Sequence, residues 1–294
     1  MALTELNNIS IAEIVIYTPA LLLAIFLAVR HGFGRNAGWL YLIVFSLARL
    51  LGAALQLATI ADPRNLSLYI GSATLQTIGL SPLILVQLAL LARAVESAGR
   101  HSAPDGSSVR TAGPVGPRQL RFVQLVVLVA LILGIVGGND AGSTYAETGT
   151  YSQGTSLSRA GIALMIAGYV LLVLATVAVA ATQLSRIEAG ERRVLLAVGL
   201  SLPFILVRLA YSAESVFGSN PDFNLLTGNH NVLLGMAVVM EMFVVAIVEA
   251  IGLTLQVRPK AKSAAPSGGP LALIQRRMAR RQMRHGYEMS DSRV

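Results

Sequence analysis

The chain has 294 residues, 54% of them hydrophobic and only 13% charged, with a mean hydropathy of +0.65 and a formal net charge of +8. A soluble domain carries roughly 25% charged residues, so too little polar surface remains here for a soluble fold, and the apolar residues run in long blocks as membrane spans do. The absence of cysteine excludes disulfides, iron–sulfur clusters, cysteine-based zinc sites and a thiol nucleophile.

The opening MALTELNN contains Glu5 and no Lys or Arg. A cleaved signal peptide has a basic start, so the first apolar block is read as a retained helix. About 20 apolar residues cross the hydrocarbon core, and seven blocks meet that length. Span 1, Ile9–Arg30, carries Glu13 and Tyr17. Span 2, Gly38–Ala61, holds Arg49 near its middle, with Ser46 and Gln56 at helical spacing on the same face. Span 3, Ser67–Arg93, places Gln76 and Gln87 on one face and is interrupted by Ser81-Pro82. Span 4, Gln119–Gly137, ends in Gly134-x-x-Gly137-Gly138, a small-residue pattern suited to close helix packing. Span 5, Ser158–Thr182, has almost nothing polar and is expected to face lipid. Span 6, Val194–Val216, contains Pro203, then Arg208 with Tyr211 and Ser215 on its face, and Glu214. Span 7, His230–Gln256, opens with Asn229-His230-Asn231 and holds Glu241 at mid-depth and Glu249 further on. The expected fold is an all-α, seven-transmembrane-helix bundle over residues 9–256, preceded by a short lumenal segment, 1–8, and followed by a basic cytosolic tail, 257–294.

Nineteen of the 23 basic residues sit at the first, third and fifth loops and in the tail. Positive charge stays cytosolic, so the N-terminus is expected outside or in the lumen and the C-terminus in the cytosol. Within the tail, LALIQRRMARRQMRH puts Leu271, Ile274 and Met278 on one helical face among five arginines. Such a stretch can lie on anionic lipid; the plainer reading is a solvated, topology-fixing tail. Neither needs nucleic acid, so the basic balance belongs to the lipid bilayer.

Ionisable residues inside spans are costly and usually functional. Glu13, Glu214 and His230 fall in the outer half, Arg208 leans that way, and Arg49 and Glu241 are central, which suggests one polar cavity open toward the lumen. Two arginines there meet three carboxylates. Each arginine holds one carboxylate ionised, and a third without a cation in so apolar a place is expected to keep its proton. A buried carboxylic acid is a proton donor; the same residues serve equally as ion pairs that only hold helices together. Lysine occurs only at 260 and 262, so span 7 has no retinal Schiff base. No pair of intramembrane histidines exists for haem, and no nucleophile elbow or phosphate loop is present. No metal and no cofactor are expected.

Two stretches, ARLLGAALQLAT (residues 48–59) and PFILVRLAYSAESVFGSNPDFNLLTGNHNVLLGMAVVMEMFVVAIVEAIGLTL (residues 203–255), resemble a family of fungal seven-span membrane proteins of largely unassigned function. The resemblance covers most of Ile9–Leu255. It extends to the membrane-bound terpene cyclases of ascochlorin-type meroterpenoid pathways. It implies an enzyme that protonates an epoxide or alkene of a lipophilic isoprenoid, in an apolar cavity, without metal, in the endoplasmic reticulum rather than the plasma membrane. From the buried charges, Glu241 is the first choice for the acid, with Glu13 and Glu214 as alternatives. Arg49, Arg208, Gln56, Gln76, Tyr17, Tyr211 and His230 are the candidate pairing and substrate-binding residues, and Phe204 is a further aromatic wall. A non-enzymatic seven-span receptor or lipid-handling protein, and a proton-coupled transporter, remain alternative readings of the same carboxylates.

Overall fold

The computed structural model describes residues 4–32, 38–101, 115–148, 154–187, 189–224 and 228–255. Among these the structure is built of helices and short turns, without strands: α1 (Glu5–His31), α2 (Trp39–Ala58), α3 (Leu66–Ile78), α4 (Leu80–His101), α5 (Pro117–Thr148), α6 (Ser156–Gln183), α7 (Ala189–Phe217), α8 (His230–Leu233) and α9 (Val239–Thr254). Seven helical segments are long and apolar enough to cross a membrane, which makes this a multi-pass membrane protein. The third span is α3 followed by α4. The seventh is α8, a π-helical turn over Leu234–Val238, and α9. The third loop from 102 to 114 and the tail from 256, with its amphipathic stretch, lie outside the described residues.

The helix ends are set by local chemistry. Thr4 Oγ1 accepts the N–H of Asn7 at 3.3 Å, with Glu5 in the first turn, so α1 starts inside the segment expected to be a separate N-terminus. The side chain supplies one of the acceptors that a helix start lacks. Thr155 Oγ1 caps α6 in the same way, accepting from Ser158 N at 3.2 Å. Two spans run further than composition indicates. The fourth continues past Gly137 to Thr148, because Ala141 and Gly142 pack under α3 and Thr74 Oγ1 donates to Asn139 Oδ1 at 3.2 Å. The sixth begins at Ala189 and takes in the charged GERR. Helix persists there because an interrupted ladder would leave backbone groups unpaired near the hydrocarbon.

The helices form a ring in which α1 neighbours α2 and α9, α2 neighbours α3, α3 neighbours α5, and α5, α6, α7 and α9 come next in turn. Inside the ring stands α4. Its most apolar stretch is 94% buried, including Gln87. The expectation that span 5 faces lipid holds for one face of α6 only. Val170, Leu171, Leu174 and Val177 are exposed, whereas Gly161 and Gly168 turn inward. A Cβ on Gly161 would lie 3.0 Å from Gly134 N and 3.1 Å from Ala130 O, so the α5 and α6 backbones meet there. At the end of the bundle formed by the odd-numbered loops, Arg30 Nη1 donates to Leu253 O and His31 Nε2 lies against Gly252 O, both at 3.2 Å. These basic groups satisfy the last carbonyls of α9.

Candidate functional site

Both central arginines converge on one carboxylate. Arg49 of α2 donates through Nη2 to Glu241 of α9, and Arg208 of α7 donates through Nε to Glu241 Oε1 at 2.6 Å. All three residues are at most 2% exposed. The same two guanidinium groups share a backbone oxygen: Arg49 Nη2 and Arg208 Nη2 donate to the carbonyl of Gln76, at 3.2 and 3.0 Å. Arg208 Nη1 is bonded to Ser212 Oγ one turn on. Each arginine also lies against an aromatic ring, with Arg49 Cζ 5.5 Å from the centroid of Phe45 and Arg208 Cζ 5.6 Å from that of Tyr211. This is a favourable cation–π distance.

Three local features of the sequence build this junction. Pro82 has no N–H for the carbonyl of Ile78, and its ring crowds that carbonyl; the third span divides at Gly79, three residues after the Gln76 carbonyl that the arginines share. Gly79 has no side chain, and a Cβ there would overlap the Arg49 guanidinium. The π-turn at Leu234–Val238, closed by Val239 N donating to Leu234 O, precedes Glu241 on the seventh span. One inserted residue rotates the rest of the helix by about 100°, and beyond it Glu241, Val244, Val245, Val248 and Gly252 are buried.

Glu13 of α1 is the second carboxylate of the cluster. Its Oε1 lies 3.8 Å from Arg49 Nη1 and accepts from Gln76 Nε2 at 3.2 Å. Glu13 is therefore held less closely than Glu241. It also lines a cleft of about 40 Å3 between α1, α2 and α3, with Ser10, Gln56, Tyr69, Ser72 and Gln76. At roughly 10–15 Å3 per water, that volume takes about three water molecules. Tyr17, one turn from Glu13, is fully buried edge-on to Phe45 (5.5 Å, 79°), and its hydroxyl has no hydrogen-bond partner among the described residues.

The remaining candidates sit around this centre or apart from it. Gln56 donates to Asn7 Oδ1 at 3.3 Å at the wall of the cleft. Tyr211 packs between Arg208 and Phe223, its ring centroid 5.6 Å from the latter. His230 stands at the rim, 37% exposed at its side chain, with Nδ1 3.8 Å from Glu5 Oε2. Glu214 is half-buried near Gly218, and its side chain makes no contact with the arginines among the bonds and ion pairs described. The centre thus brings two carboxylates, not three, to the two arginines. Phe204 stacks on Phe243 at 5.1 Å, and Phe243 is 48% exposed; this pair faces the lipid side and not the cleft. Glu249 lies apart on α9, with the buried Val244, Val245 and Val248 between it and Glu241.

Sequence reasoning missed Ser212, Phe45 and the Gln76 carbonyl. The first two have i+4 and i−4 spacing to the arginines as their signal; the third, a backbone oxygen, has none. It also missed a second buried pair at the odd-loop end, where Arg93 of α4 donates through Nε and Nη2 to the carboxylate of Glu191, both at 2.9 Å. By composition alone Glu191 belongs to a loop. Among the described residues no three His, Asp or Glu side chains come together as a metal site.

A family model described as a domain of unknown function, DUF7702, matches residues 3–258. The chain belongs to that family. No curated protein and no solved structure matches it.

Proposed function

For this member of the DUF7702 family we propose acid-initiated cyclisation of a lipophilic prenyl or epoxy-prenyl substrate, a metal-independent terpene cyclase of the endoplasmic reticulum membrane. The observation that carries the reading is Glu13: a membrane-embedded carboxyl that lines a cleft and is backed by an Arg–Glu–Arg cluster. Glu241 is clamped by both guanidinium groups and serves to hold them in place; Glu13 is the acid. Its proton goes to the epoxide oxygen or terminal alkene, the chain's own double bonds close onto the cation, and at the end carbon gives up a proton to the cleft water. Arg49 and the Gln76 amide stabilise the carboxylate that remains on Glu13, and the cleft returns a proton from water. The resemblance of residues 48–59 and 203–255 to the fungal cyclase neighbourhood supports the same class. A prenyl terminus is larger than the cleft as it stands, so the reading requires α1 and α3, which line it, to part when substrate binds.

The size of the cleft favours a second reading. About 40 Å3 is far below the roughly 300–1,000 Å3 of ligand pockets, which suits a small polar group sensed by a non-enzymatic receptor. The apolar residues between Glu241 and Glu249 count against a continuous proton path, and so against a transporter.

Microsomes containing the wild type, Glu13→Gln and Glu214→Gln are fed prenylated phenols and their terminal epoxides, and cyclised isomers are tracked by mass and retention time. General acid catalysis contributes about 10²–10⁴-fold, so Glu13→Gln should lose at least that factor while Glu214→Gln keeps most of the turnover. A folded wild type that converts neither class rejects the cyclase reading and leaves the receptor. Full turnover by Glu13→Gln removes that residue from the mechanism.

A further inference from the structure

A second hollow lies far from Glu13, on the outside of the bundle at the odd-loop end. Between α6 and α7 runs a groove of about 490 Å3, lined by Ala180, Leu184, Leu195, Leu196, Gly199 and Leu200, with Arg192 at its end. It is an order of magnitude larger than the cleft at Glu13 and falls within the range of sites that hold a ligand. Its walls are almost wholly apolar, and they belong to spans, so the medium around them is hydrocarbon. Leu196 and Leu200 are 62% and 57% exposed, and a Cβ on Gly199 would meet nothing within 4 Å. Among the described residues nothing fills this space.

The polar end of the groove has a definite sign. Arg192 lies in the first turns of α7, where the span leaves the hydrocarbon, and Arg193 beside it is also exposed. The Arg192 Nε donates to the carbonyl of Ile187 at 3.2 Å, which ties the guanidinium to the turn that closes the groove. The two terminal amino groups of that fork are the geometry that pairs with a phosphate. Glu191, the acid of the same turn, is engaged with Arg93.

We propose that this groove is a binding site for one anionic phospholipid from the leaflet at the odd-loop end, an acyl chain lying along Leu196, Gly199 and Leu200 and the headgroup phosphate on Arg192. A phospholipid supplies both parts at the spacing the groove sets: an apolar tail inside the hydrocarbon and an anion at the span's end. A zwitterionic lipid fills the groove equally well but gains less from two adjacent arginines near the surface, which attract net negative charge. The site is independent of the proposed chemistry at Glu13.

The test uses the full chain in detergent, supplied with equal amounts of phosphatidylserine and phosphatidylcholine, with bound lipid read by native mass spectrometry. The wild type should hold one phosphatidylserine in several-fold preference to phosphatidylcholine. Arg192→Gln should keep a lipid but lose the preference. Gly199→Phe should lose the adduct, because its side chain starts into open space, with nothing within 4 Å of the Cβ, and fills the groove. Its fold is checked by circular dichroism and elution volume, and Arg192→Gln, a surface change, carries the test if Gly199→Phe fails to fold. Equal binding of the two lipids by the wild type, a preference that survives Arg192→Gln, or a self-associated dimer that excludes lipid from this face would overturn the proposal.

Discussion

Replacing Glu241 by Gln keeps the shape of the side chain and removes the charge on which two arginines converge. The consequence can be worked from the geometry. The Nη2 atoms of Arg49 and Arg208 donate to the same Gln76 carbonyl from 3.2 and 3.0 Å, so these atoms are no more than about 6 Å apart. Two unit charges about 6 Å apart repel by roughly 3 kcal/mol at an effective dielectric of about 20. The lost charge-assisted bonds add to this, each worth about 1.5–3 kcal/mol, and the Gln amide oxygen recovers part of them. A net loss of about 3–5 kcal/mol matches what breaking a buried pair does elsewhere. At roughly 2–4 °C per kcal/mol for a chain of this size class, the melting temperature should fall on the order of 10 °C. The assay is thermal unfolding of purified protein in detergent, read by size-exclusion peak height. Arg208→Met in the same chain should restore much of the loss, because the repulsion between the two guanidinium groups is then gone. A Glu241→Gln variant that melts with the wild type, or a double variant less stable than the single one, would refute the argument that Glu241 exists to hold the two arginines together.

The packing and the charge pattern lead to three further outcomes. Gly79→Ala should lower folded yield and displace Arg49, because its Cβ would overlap the guanidinium, and overpacking costs about 1–3 kcal/mol; size-exclusion yield checks it. Gly161→Ala should destabilise by a similar margin, with its Cβ 3.0 Å from Gly134 N, whereas Gly134→Ala should be silent, because a Cβ there meets nothing within 4 Å; paired melting curves separate the two. Tags placed near Asp105 and Ser290 should be cut by protease in sealed microsomes without detergent, since the basic third loop and tail resist translocation; protection of both would reverse the orientation.

Much of the centre is legible in the sequence. Arg49, Arg208, Glu241 and Glu13 stand out because a charge in a span is expensive and must find a partner, so their convergence is a consequence of composition. The pairing is not legible there. Three carboxylates against two arginines suggest one spare acid, but among the bonds and ion pairs described Glu214 meets neither arginine and both take Glu241. That choice depends on the rotation of the seventh span at its π-turn, which a uniform helical repeat does not show. Phe204 illustrates the same limit: its type suits a cavity wall, and its position on α7 turns it to Phe243 and lipid.

The sequence alone determined that seven helices cross a membrane, because apolar length and the need to pair every backbone group leave no other solution. It also determined which residues had to be sheltered. Which helix stands in the middle was decided only by tertiary structure. In water, a helix apolar on all sides declares itself buried; in a membrane, lipid-facing and core-facing surfaces are equally apolar, so the leucine-rich faces of α4 and the outer face of α6 read alike. Tertiary structure likewise decided that the Gln76 carbonyl is the point on which Arg49 and Arg208 meet. A backbone oxygen carries no side-chain identity, and its role exists only once the third span has broken beside two arginines from other helices.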